Sequence, residues 1–111
     1  MAGVKAVHVV HAFWCPHCHP TTVEPLRKAS EKLGIGFFAY DIDVPEQEAR
    51  ADDLVRRFSR WDDDYLIPQV FVEMSDGKIR HVLTGVPGSV ASTKKAVEEL
   101  LASLQLQQIP P

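Results

Sequence analysis

The sequence predicts an α/β domain built on a four-stranded mixed sheet, in the order β-α-β-α-β-β-α with helices on both faces. Three observations predict it. A valine-rich run from Val4 to Phe13 is followed by a helical pattern and a second strand-like run, Ile35 to Asp43, which together make a β-α-β unit. A polar helical pattern then starts at Pro45. Two short apolar runs, Gln69–Met74 and Ile79–Thr84, flank Ser75-Asp76-Gly77, a signal for a tight turn between antiparallel strands. The 111 residues suffice for one domain, 1–111, with a single core.

Val4 to Phe13 is nearly continuous in apolar residues and too short for a typical helix, so it reads as a parallel strand covered on both faces. His8 and His11 lie three apart and must point to opposite faces. His8 is expected to be a strand residue with a polar partner; His11, four before Cys15, has the better claim to function. Beyond the cysteines, Val23, Leu26, Ala29 and Leu33 recur at helical spacing with Arg27, Lys28, Glu31 and Lys32 opposite, and Gly34 is placed to end that helix. Its start is open, because Pro16, Pro20 and Pro25 each lack an N–H. Thr21 with Glu24 could form a capping box, and Pro25 is either a kink or a first-turn residue.

The aromatic and β-branched residues of Ile35 to Asp43 suit a strand. From Pro45 to about Phe58 the pattern is a surface helix with one modest apolar face, Ala49, Leu54, Val55 and Phe58, and with Arg56, Arg57 and Arg60 at its end. Ser59 to Tyr65 is a loop by composition, and its run Asp62, Asp63, Asp64 after Trp61 reads as solvated. Should it lie near Cys15, its carboxylates would oppose a thiolate and repel anions such as glutathione. Gly85-Val86-Pro87-Gly88 breaks the hairpin, Ser89 or Ser92 can cap, and Val90, Val97, Leu100, Leu101 and Leu104 stripe a final helix. The tail from Gln107 to Pro111 is expected to fray.

A formal net charge of -3 gives no reason to expect nucleic acid as a partner. No stretch has the length of a membrane span, and no signal-peptide pattern precedes the first strand, so a cytoplasmic location is expected. There, structural disulfides are rare and paired cysteines are more often catalytic or metal-binding.

The chemistry concentrates in Phe13-Trp14-Cys15-Pro16-His17-Cys18-His19-Pro20, which holds both cysteines of the chain. In a C-x-x-C pair the sulfurs can close a small disulfide, and a helix start aims N–H groups at the first sulfur and favours its thiolate. His17 between them can donate to the Cys15 thiolate. His19 reads as a helix-start residue facing solvent. The competing reading is zinc or copper held by Cys15, Cys18 and one of His17, His19 or His11. Against it, no second cysteine or histidine cluster lies downstream, where His81 is alone.

Phe13-Trp14-Cys15-Pro16-His17-Cys18, the later Ile67-Pro68-Gln69-Val70-Phe71-Val72, then Asp76-Gly77 and Gly85 resemble the thioredoxin superfamily over essentially the whole chain. The resemblance implies a thioredoxin-like fold, with the hairpin and following glycine similar to thioredoxin and the lack of an extra strand and helix before Val4 similar to glutaredoxin. The glycine pair and downstream Asp with which glutaredoxins hold glutathione are not matched at Gly85-Val86-Pro87-Gly88. Pro16-His17 is similar to the dipeptide of the periplasmic disulfide oxidases, whose inserted helical domain has no room here. The acidic residue that thioredoxins bury beneath the second cysteine falls at Val9.

What the resemblance implies for function is a thiol-disulfide oxidoreductase with Cys15 as exposed nucleophile and Cys18 as buried resolving thiol. Pro68 would be cis and abut the cysteines, the backbone of Ile67 would pair with a substrate strand, and Trp14 and Pro16 would border the site. The implied partners are protein disulfides or dithiols, with a reductase or glutathione as electron donor. The chain would act as a monomer, with no bound cofactor or metal and no membrane or nucleic-acid partner.

Overall fold

The inner strand of the sheet, β1 (Val4–His11), is the most thoroughly buried element in the computed structural model, which describes residues 3–107. It is flanked by β2 (Gly36–Asp41), with α1 (Val23–Leu33) as the crossover between them, and by β3 (Gln69–Met74). The β1–β2 pair is parallel, from Ala6 opposite Gly36 to His11 opposite Asp41, and β1–β3 is antiparallel. After α2 (Pro45–Phe58), β3 and β4 (Ile79–Thr84) form the antiparallel hairpin, giving the order β2-β1-β3-β4 before α3 (Val90–Leu106). It is the expected four-stranded mixed sheet with three helices.

Alternation along β1 divides the core. Val7 and Val9 face α1 and α3, packing with Leu26, Val97, Leu100 and Leu104, whereas Val10 faces α2 with Ala51, Leu54, Val55 and Phe71. Fully burying such a side chain stabilises by about 1.5–3 kcal/mol relative to exposure. The inner strand, rather than edge strand β2 with its exposed Phe38 and Ala39, therefore anchors the segment that follows it.

Several boundaries differ from the sequence expectation. β1 ends at His11; Ala12 is buried, but Phe13 and Trp14 leave the sheet and are 70% and 67% exposed. β2 is shorter than Ile35 to Asp43. The buried alanine of α2 is Ala51 rather than Ala49, because Ala51 lies one turn before Leu54 and Val55 on the same face. Pro25 is the third residue of α1, where its missing N–H costs no intrahelical bond. Gly34 ends that helix with φ 70°. Ser89 caps α3, accepting from Ser92 N–H at 3.1 Å, while Val90 stands outside the apolar stripe at 39% exposure.

Gln107 does not fray: its Oε1 accepts the Val4 N–H at 2.8 Å and its Nε2 donates to the Leu104 carbonyl. The remainder of the expected frayed tail, 108–111, lies outside the described residues. His8 has the expected partners, with Nδ1 at 2.8 Å from the Tyr40 hydroxyl and Nε2 at 2.9 Å from Glu73. That bond, with Lys5 assisting against burial, holds the Glu73 carboxyl below its ordinary value. Among the described residues no helix is long and apolar enough to cross a membrane.

Candidate active site

Between the end of β1 and the start of α1 the chain turns through Phe13 to Thr22. Cys15 N–H donates to the Ala12 carbonyl, and the Cys15 carbonyl accepts from both Cys18 and His19 at 3.0 Å. A regular helix cannot begin here. Pro20 lacks the N–H that would reach the Pro16 carbonyl, and the Thr21 hydroxyl donates to that carbonyl instead at 2.7 Å. Likewise the Thr22 hydroxyl donates to the His17 carbonyl at 2.7 Å. With both threonines engaged upstream no Thr21–Glu24 capping box forms, and α1 starts only at Val23. The cysteines thus sit in helical-type turns ahead of α1 rather than on its first turn. The His19–Pro20 bond is cis.

Both thiols are free. Cys18 is fully buried, and Cys15, expected to be exposed, is only 5% exposed. The reason is packing, since Ala12, Cys15 and Cys18 form one cluster closed by Ile42 from the β2–α2 connection and Ile67 from the segment before β3. Burial raises the Cys18 thiol well above its ordinary value; a backbone hydrogen bond at Ala12 opposes this, and a hydrogen bond with Cys15 adds to it. The two sulfurs interact, and Cys18 is held as the neutral thiol.

Ile67–Pro68 is cis, and Pro68 is buried. This segment is pinned by Gly85, whose N–H donates to the Pro68 carbonyl at 2.8 Å. A Cβ on Gly85 would stand 2.6 Å from the Ile67 oxygen and 2.8 Å from Pro68 Cδ, so only glycine fits unless the backbone moves. The glycine after the hairpin is therefore a spacer for the residue that covers the cysteines.

His17 is held on one side of its ring by α3. Its Nδ1 lies 2.8 Å from Thr93 Oγ1 at the start of α3, which leaves Nε2 as the only ring nitrogen for any donation to Cys15. Thr93, fully buried, also accepts the Val86 N–H at 2.9 Å and reaches the Ser89 carbonyl at 3.3 Å, so one hydroxyl joins the cysteine turn to α3 and to the loop after β4. His19, expected to face solvent, is drawn inward: Nδ1 lies 2.7 Å from Glu24 Oε2, Nε2 lies 2.9 Å from His11 Nδ1, and the ring stacks on Phe13. Burial tends to raise the Glu24 carboxyl, but the His19 bond outweighs it and the carboxyl is held low. Burial, with His19 adding to it against Asp41 and Glu24, lowers His11. Neither Thr93 nor the His11–His19–Glu24 chain was signalled by the sequence, where Thr93 is one threonine in a polar helix start.

The partners taken by these histidines decide the competing ligand set. His17 is turned to Thr93 and His19 to Glu24 and His11, and among the described residues no group of three His, Cys, Asp or Glu side chains could hold a metal ion. The set of Cys15, Cys18 and a neighbouring histidine is not assembled.

Beside the cysteines opens a cleft of about 520 Å³. Ile42 and Ile67, which pack on the thiols, form part of its wall; Trp14 stands at its border, its Nε1–H donating to Asp43 Oδ2 at 2.8 Å. The aspartate-rich loop supplies the other side through Trp61, Asp63, Asp64 and Tyr65. The loop read as merely solvated thus borders the site. A larger recess of about 830 Å³ against β4 and α3 includes none of these residues. No protein-family model, no curated protein and no solved structure matches this chain.

Proposed function

We propose that the protein is a thiol-disulfide oxidoreductase of thioredoxin-like fold, exchanging disulfides with protein substrates through Cys15 and Cys18. The observation that carries this reading is the interacting pair of free thiols, Cys18 fully buried and Cys15 5% exposed, packed under Ile42 and Ile67 beside an open cleft. In the reducing direction the Cys15 thiolate attacks one sulfur of the partner's disulfide; that S–S bond breaks, one partner thiolate leaves, and a mixed disulfide forms. Cys18 then loses its proton and attacks the Cys15 sulfur, releasing the second partner thiolate. Two electrons pass to the partner, whose thiolates take up the two protons, and Cys15–Cys18 is left oxidised. The reverse sequence oxidises a dithiol.

The reaction needs no bound cofactor, and a reductase or glutathione would restore the dithiol, consistent with a cytoplasmic monomer. Trp14 and Pro16 flank the nucleophile, Ile67 and Pro68 form the opposing wall, and His17 positions the turn through Thr93. The test is substitution with trapping. Cys15→Ser is expected to abolish exchange, and Cys18→Ser to accumulate a mixed disulfide with the partner; exchange surviving Cys15→Ser refutes the mechanism. A redox titration then sets the direction. A transition near about -270 mV marks a thioredoxin-like reductant and one near about -120 mV an oxidant.

A further inference from the structure

We infer that the cleft beside Cys15 selects a basic partner: a polypeptide segment carrying lysine or arginine next to its disulfide. The inference rests on the oxidoreductase reading and names its substrate class. Three observations carry it. The cleft adjoins the thiols, because Ile42 and Ile67 pack against the cysteine cluster and also form part of the cleft wall. An occupant reaching Cys15 from this side therefore lies along it.

The charge of the lining is one-sided. Glu48, Asp52, Asp63 and Asp64 line it against Arg56, whose guanidinium lies over the Trp61 ring at 3.9 Å. Asp52 is committed to the Tyr65 hydroxyl at 2.8 Å, and Asp62 to the turn, accepting the Asp64 N–H at 2.8 Å. Asp63 and Asp64 are exposed and border the occupant.

The third observation is independent of charge. A second recess of about 370 Å³ shares Asp64 and Tyr65 with the first and is lined also by Gln69, Asp62 and Arg60. Gln69 is only 3% exposed; its Nε2 donates to the Leu66 carbonyl at 3.0 Å, but its Oε1 is buried without a hydrogen-bond partner. A buried acceptor left open calls for a donor. Across both recesses five carboxylates face two guanidinium groups, and the unpartnered amide oxygen buried in the wall of the second is also an acceptor. Trp14, Trp61 and Tyr65 supply flat surface for the aliphatic stem of a lysine or the plane of an arginine. An anionic disulfide is repelled by the same groups.

The test uses short synthetic peptides dimerised through one cysteine, with lysine, glutamine or glutamate on both sides of it, reduced by the full-length dithiol protein and followed by tryptophan fluorescence. At low salt the lysine peptide is expected to react at least about tenfold faster than the glutamate peptide, with the gap shrinking at high salt. In the Asp63→Asn, Asp64→Asn double variant the lysine-to-glutamate ratio is expected to fall toward one. Equal rates, a ratio unchanged in the double variant, or oxidised glutathione reacting as fast as the lysine peptide would overturn the inference. Failure of the underlying reading is separately visible, as no reduction of any peptide or of the neutral bis(2-hydroxyethyl) disulfide. In that event fluorescence-detected binding of the same peptides, cysteine replaced by serine, to the Cys15→Ser protein decides. Preference for lysine supports the cleft assignment, and no preference overturns it.

Discussion

Replacing Gly85 by alanine perturbs the cysteine site without touching a cysteine. The added methyl would meet the Ile67 carbonyl oxygen at 2.6 Å and Pro68 Cδ at 2.8 Å, and neither is the tip of a flexible side chain that could swing away. Relief requires the Ile67–Pro68 backbone to retreat, which also weakens the Gly85 N–H bond to the Pro68 carbonyl. Overpacking costs about 1–3 kcal/mol and a weakened hydrogen bond about 0.5–1.5 kcal/mol, so the variant should lose about 2–4 kcal/mol. In a chain of this size that lowers Tm by roughly 10–20 °C. Because Ile67 packs against the cluster that holds Cys15, its retreat should also speed alkylation of Cys15 by iodoacetamide.

The matched control is Gly34→Ala. There φ is +70° with nothing within 4 Å, so the cost is conformational alone, about 1 kcal/mol, and lies outside the thiol cluster. Thermal unfolding in reducing buffer and alkylation rates taken well below both transitions separate the two effects. A Gly85→Ala protein that melts with wild type refutes the packing argument. One that is destabilised but alkylates at the wild-type rate refutes the link from Gly85 through Ile67 to Cys15.

The other predictions concern buried polar groups. Thr93→Val leaves the Val86 N–H without its acceptor and His17 Nδ1 without its hydrogen-bond partner and should cost about 1–3 kcal/mol in urea unfolding, with Thr93→Ser recovering most of it. Burial lowers both His11 and His81 from their ordinary value of 6.5, so on acidification the unfolded chain takes up these protons first. Stability should be full above about pH 6.5 and fall as the pH drops toward the folded-state values. Glu24 and Glu73, both held low, add a second loss that sets in near about pH 4.3, where the unfolded chain begins to protonate. The urea midpoint should therefore decrease between about pH 7.5 and 5, less steeply in His81→Gln, and a midpoint that rises over that range would contradict the assignment.

Periodicity made the architecture legible. β3 and β4 match their expected bounds because Asp76-Gly77 fixes the turn between two short apolar runs, and α2 begins where Pro45 can serve as a first-turn residue. Strand ends were less legible, since an apolar run does not mark where Phe13 and Trp14 leave the ladder for the surface. The two cysteines announced the site, but its surroundings depend on contacts far apart in sequence. Thr93 meets His17 across 76 positions, and nothing local distinguishes it from Ser92. His19 looked like a solvent residue because its partner His11 belongs to the preceding strand. The aspartate loop could be read only once the fold placed Asp63 and Asp64 opposite Trp14 and Ile67.

The central position of β1 carries a consequence for biosynthesis. β1 leaves the ribosome before the other strands of the sheet, and β2 with α1 can pair with one of its edges soon afterwards. Its other edge belongs to β3, which emerges only after α2 and the aspartate-rich loop, several seconds later at about 5–20 residues per second. For that interval the nascent chain presents a valine-rich strand with unpaired backbone groups, the kind of edge that invites pairing with other chains. The polar, charged stretch from Glu46 to Asp64 that delays β3 is also what is then available to keep the half-built sheet solvated.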